Sequence, residues 1–166
     1  MLQSAHWLFA GVLAGATVVL PIHTNHIKLD QTKQGTPPPA AAPAGNSITV
    51  TVNYTGKGVV DASHEILLFL FNEPKVGPDS RPLGPPQIVT KNGASATFAN
   101  VSSTSPVYVL AIYDEAGTYD GRTGPPPVGT PIGFYAKDAK APPTPVTPGP
   151  KTAIKLSFSG AQKFGK

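Results

Sequence analysis

Three carboxylates fall within seven residues of one stretch, "VLAIYDEAGTYDGRTG" at 109–124: Asp114, Glu115 and Asp120. Oxygen ligands converging from a short loop are what Ca²⁺ requires, and nearby backbone carbonyls would complete such a set. Laid against the EF-hand loop from Asp114, however, the glycine needed at the sixth position is Tyr119 and the closing glutamate at the twelfth is Pro125, which excludes that motif. The alternative chemistry is that of a polar strand connection, in which Gly117 and the Asp120-Gly121 pair supply positive φ and the aspartates accept backbone N–H groups. The turn is the preferred reading. A calcium site at Asp114, Glu115 and Asp120 is the competing one.

The remaining chemistry-bearing residues are dispersed. His23 and His26 lie three apart, but zinc needs three or four converging ligands and no third follows in the sequence. His64 sits among Asp61, Ser63 and Glu65, where a turn accounts for the cluster. No Gly-x-Ser-x-Gly elbow is present, and there is no cysteine to serve as nucleophile, thiolate ligand or disulfide partner. A non-catalytic protein without a resident cofactor is therefore expected. Tyr113, Tyr119, Phe134 and Tyr135 form the candidate ligand-binding set, because aromatic rings combine apolar area with polar tips; ordinary packing is the other reading of the same four.

Net charge is +4, from 13 basic against 9 acidic residues, and the Lys and Arg are scattered singly from Lys28 to Lys166. Nucleic-acid binding needs a concentrated basic stripe that releases counterions, and none is visible. Low charge and 20 prolines fit a partner that is a protein or a polysaccharide.

These residues must be held by something, and the chain divides clearly. The uncharged run at 7–20, "WLFAGVLAGATVVL", has the length of a signal-peptide core, so 1–22 is expected to be a helical signal peptide or an N-terminal membrane anchor. Any membrane contact would run through that segment alone. Residues 23–45, with "GTPPPAAAPAG", form a Pro/Ala-rich linker that can bury little. From 46 to 160 the period becomes two. Ile48, Val50, Val52 and Tyr54 alternate with polar residues, predicting a half-buried strand. "EILLFLF" at 65–71 is continuously apolar after Glu65 and closed by Asn72 and Pro74, predicting a central strand covered on both faces; if Phe69 faces inward, truncating it to Ala is expected to cost about 3–5 kcal/mol.

Further strands are predicted at 87–90, 94–101, 107–113, 132–135 and 154–158, the first two joined as a hairpin by Asn92-Gly93. Proline-rich loops at 76–87, 123–131 and 141–150 separate others. Residues 161–166 are left as a tail. Seven strands with no helix predict an all-β, seven-stranded antiparallel sandwich, prealbumin-like or Ig-like, with a barrel as the runner-up.

"ATFANV" at 96–101 followed by "VYVLAIYDEAG" at 107–117 resembles carboxypeptidase regulatory-like domains, in which a Phe-x-x-Val strand leads through a tight turn to a Tyr-x-Val/Leu strand. Pro106 stands where those domains carry glycine. A second resemblance is to an exported bacterial family of uncharacterised function: Asp114, Gly117 and Asp120, then Gly129-Thr130-Pro131 and Phe134-Tyr135, follow its order, with Ala116 and Thr118 in place of its loop asparagines. Both resemblances imply a prealbumin-like (transthyretin-like) sandwich over about 48–158, and neither implies a catalytic residue. The function expected is that of a structural or interaction module, secreted, periplasmic or at a cell surface, contacting partners through its proline-rich loops. The alternative is a small-ligand or carbohydrate-binding module, calcium-assisted in one version.

Overall fold

Alternation sets the first strand: in the computed structural model, which describes residues 45–138 and 140–166, β1 (Ile48–Tyr54) buries Ile48, Val50, Val52 and Tyr54 and leaves Thr49, Thr51 and Asn53 on the outer side. The leader at 1–22 and the linker up to residue 44, with His23 and His26, lie outside the described residues. Seven more strands follow among the described residues: β2 (Ile66–Phe71), β3 (Gln87–Val89), β4 (Ser95–Phe98), β5 (Tyr108–Tyr113), β6 (Pro131–Phe134), β7 (Thr152–Phe158) and β8 (Gln162–Lys163). No helix occurs among the described residues. The domain is all-β.

The strands form two sheets, one ordered β4-β1-β7 and the other β3-β2-β5-β6-β8. They share an interior built from Ile48, Val50 and Val52 of β1, Ile66, Leu68 and Leu70 of β2, Val109 and Ala111 of β5, and Leu156 of β7. On the outer side of the smaller sheet, hydroxyls pair across strands, Thr49 with Thr97 at 2.9 Å and Thr51 with Ser95 at 2.7 Å.

Three expectations are corrected. The sandwich is not wholly antiparallel, because β1 and β7 run parallel in register from Ile48↔Thr152 to Tyr54↔Phe158. A period of two identifies the buried face of a strand and carries no information about the direction of its neighbour. The residues read as a tail include an eighth strand: Gln162 pairs with Ile132 and Lys163 with Pro131, and Phe164 is buried beyond them. Two residues are too few to show periodicity.

Asn92-Gly93, finally, does not make a hairpin, since β3 and β4 belong to different sheets. Gly93 has φ of 80°, and the Asn92 side chain acts as an extra rung on β1. Its amide donates to the Tyr54 carbonyl at 2.7 Å while its oxygen accepts the Tyr54 N–H at 2.8 Å. Side-chain amides mimic backbone groups in this way.

Two tyrosines close one end of the interior. The rings of Tyr54 and Tyr113 stack with centroids 4.5 Å apart, and their hydroxyls donate to the carbonyls of Lys57 and Val59, each at 3.0 Å. The 55–65 loop is thereby clamped over the sheets. Gly58, at φ of 110°, lies so close to the Tyr113 hydroxyl that a side chain there would collide with it. Burial is the main cause that raises both phenols above their ordinary pKa; a smaller push comes from Tyr113 and Glu115 on Tyr54, and from Glu115, Asp61 and Asp114 on Tyr113.

A loop-roofed cavity as the candidate functional site

Because β2 is apolar at every position, its odd residues need a cover of their own. Leu67, Phe69 and Phe71, with Leu110 and Ile112 of β5, Ile132 of β6 and Phe164, make a second cluster on the outer face of the five-stranded sheet. Among the described residues no third sheet covers it. Two proline-rich loops do, residues 72–86 and 114–130, and between them and the sheet lies a cavity of about 250 Å³. Phe69, Phe71, Leu110, Ile112 and Phe164 line its floor; Val76, Pro78, Pro82, Tyr119, Pro125 and Pro126 belong to its walls.

The first loop is folded by Ser80, whose N–H donates to the Gly77 carbonyl at 3.1 Å while its hydroxyl oxygen accepts the Gly77 N–H at 2.9 Å. Leu83 then ties the loop to β2, donating to the Leu70 carbonyl at 2.9 Å. Four prolines within 78–86 restrict the backbone and remove donors that would otherwise need partners.

The acidic loop forms the second wall. Asp114 is 7% exposed, and its Oδ2 accepts the Tyr119 N–H at 2.8 Å. Asp120 Oδ1 accepts from Arg122 N at 2.8 Å, Thr123 N at 3.1 Å and Thr123 Oγ1 at 2.9 Å, and the backbone bond from Arg122 leads the causes that lower its pKa. Gly121, at φ of 68°, passes so close to the sheet that a Cβ would stand 2.8 Å from Leu67 Cδ2 and Phe69 Cζ. Tyr119 closes the wall by donating its hydroxyl to the Gly124 carbonyl at 3.0 Å. Here the two aspartates are the turn-formers of an Asx-type loop. Glu115 is exposed. Asp114 and Asp120 instead border a separate open dent with Glu65, and among the described residues no three His, Asp or Glu side chains converge as a metal-binding group.

Only one of the four singled-out aromatics reaches the cavity. Tyr113 is 1% exposed between the sheets; Tyr135 packs half-buried against that same interior. Phe134 sits opposite Leu110 across β5 and β6, and the groove it lines is a different one, beside β7. Tyr119 alone lines the cavity, and burial followed by the neighbouring Asp120 raises its pKa. His64 lies in a turn, as read: Asp61 Oδ1 accepts from Ser63 N and His64 N, each at 2.8 Å, and lies 3.1 Å from the His64 ring.

Arg81 and Arg122 were not legible as site residues. Each is a lone cation in a proline-rich loop, and only the folded chain brings both to the cavity lining. The available clue was indirect: an apolar strand with two buried faces implies a cover beyond the second sheet, and proline-rich loops were the segments left to supply it. Comparison of the chain with protein-family models, with curated proteins and with solved structures found no match.

Proposed function

We propose that this domain is a non-catalytic binding module whose site is the cavity beneath the 72–86 and 114–130 loops, carried on an exported sandwich at a cell surface or in an envelope space. The observation that carries the reading is the cavity itself, an unfilled apolar space over Phe69, Phe71 and Leu110. The space is partly open to solvent, which gives a small ligand a way in to the buried aromatic floor. A concave, mainly apolar site with few polar groups is the usual form of a small-molecule site. The non-catalytic reading is supported by the lining, whose charged members are arginines, which do not act as proton acceptors at ordinary pH.

The prealbumin-like reading of the sandwich is supported by where the resembling residues fall. Phe98 ends β4, Val101 packs on the same interior, and Tyr108-Val109-Leu110 opens β5. A second functional reading, a protein-contact surface, draws on Leu83 and Ile88, which are 42% and 50% exposed beside the β3 edge.

The full chain titrated with 4-phenylbutan-1-ol, a small ligand of matching apolar character, tests the proposal. Binding raises the melting temperature by mass action, and backbone amide shifts concentrate at Leu110, Ile112 and Tyr119. Neither a rise nor such shifts at millimolar ligand would remove the cavity as a site.

A further inference from the structure

We infer that the ligand of this cavity is a small organic anion, an aromatic or short alkyl body on the apolar floor with a carboxylate held by Arg81 and Arg122. The inference rests on the binding-module reading above and adds the chemical class. Its first support is charge: among the described residues, the charged ones lining the cavity are the two arginines. Neither makes a salt bridge with any described residue, the one such pair being His64 with Asp61. One arginine comes from each loop, so both walls contribute a cationic residue to the lining, and both are exposed to solvent.

The second support is the state of the other polar groups. The Tyr119 hydroxyl proton is given to Gly124, and the Ser80 hydroxyl oxygen is engaged by Gly77. A sugar would need several free donors and acceptors at matched positions. Besides the Ser80 hydroxyl proton, the arginines are the side-chain donors of the lining without a partner among the described residues, and their planar forks match a carboxylate in bidentate geometry. Size sets the body. An apolar cavity of about 150 Å³ holds benzene, so 250 Å³ accommodates one ring with a short chain leading to the carboxylate.

Isothermal titration of the full chain with 4-phenylbutyrate and with 4-phenylbutan-1-ol, on the wild type and on the Arg81→Gln/Arg122→Gln double variant, decides the matter. The wild type should bind the acid about tenfold more tightly than the alcohol, the scale of a charge-assisted hydrogen bond. The double variant should lose that preference and keep its affinity for the alcohol, which also shows that its cavity is intact. Equal binding of acid and alcohol by the wild type overturns the anion inference and leaves the binding-module reading standing. A preference for the acid that survives in the double variant overturns it as well, by placing the anion elsewhere. Binding of neither compound removes both readings.

Discussion

One strand, β2, feeds two interiors that are covered in different ways. Ile66, Leu68 and Leu70 face the opposing sheet, whereas Leu67, Phe69 and Phe71 face the proline-rich loops. Both sets are equally buried, with all six residues at 6% exposure or less. The inter-sheet side is closed by paired strands whose side chains project at fixed intervals and interdigitate. The outer side is closed by segments without a ladder, each held at a few turn bonds, and it retains the cavity. Burial alone therefore does not distinguish a packing core from a binding floor; the regularity of the cover does.

The comparison is broken most directly by equal truncations on adjacent residues of β2. Leu68→Ala should lose stability near the upper part of the ~2–5 kcal/mol range for such changes, because the two sheets cannot move together to fill the void. Leu67→Ala should fall near the lower part, because the loop above it can settle. Urea unfolding of both variants measures the pair, and equal losses would mean that the loops pack as rigidly as the sheet. The sequence-based figure for Phe69 belongs on the loop-covered side, since Phe69 lies over the outer face.

Smaller effects sharpen the contrast at the tyrosines. Tyr113→Phe removes the donor to the Val59 carbonyl inside the clamp, and a loss of about 1–2 kcal/mol is expected. Tyr119→Phe removes the bond to the Gly124 carbonyl, which can turn to water instead, so about 0.5–1 kcal/mol is expected. Thermal melts of the two variants should rank in that order.

The smallest effect is on pH dependence. Tyr54, Tyr113 and Tyr119 have folded-state pKa values raised, chiefly by burial. The unfolded chain thus releases these protons first. Stability is full below the ordinary tyrosine pKa of about 10 and falls as pH climbs from there towards the folded values. Asp61 and Asp120 are shifted the other way, lowered first by backbone N–H bonds from Ser63 and Arg122. Their contribution is present above the ordinary carboxylate pKa and is lost as pH falls through the folded values; Asp120 is exposed and the Asp61 side chain half-exposed, so the acid limb should be shallow. Melting temperature measured across pH checks both limbs, and Tyr119→Phe should reduce the alkaline loss without abolishing it.

Much of the fold was legible because one-dimensional patterns report burial. The alternation at Ile48 to Tyr54 and the unbroken apolar run of β2 each named their faces correctly. The turn chemistry of Asp114, Gly117, Asp120 and Gly121 was legible too, since Asx bonds and positive φ are local. The Asn92-Gly93 pair misled, although its turn residues were read properly, because a turn signal does not say which sheet each flanking strand joins. Of the candidate ligand residues, Tyr119 reached the cavity while Tyr113 went into the core, two aromatics six positions apart whose fates depend on which strand or loop covers them.

What the sequence determined by itself is therefore a set of local properties: extended segments, their buried sides, and the places where the backbone turns, all fixed by interactions within a few residues. Tertiary structure alone decided the parallel pairing of β1 with β7, the use of proline-rich loops as a cover, and the placement of Arg81 and Arg122 in the lining of one cavity with an aromatic floor. Those outcomes join residues about forty to a hundred positions apart, and such contacts arise from the entropy and packing of the whole chain closing on itself.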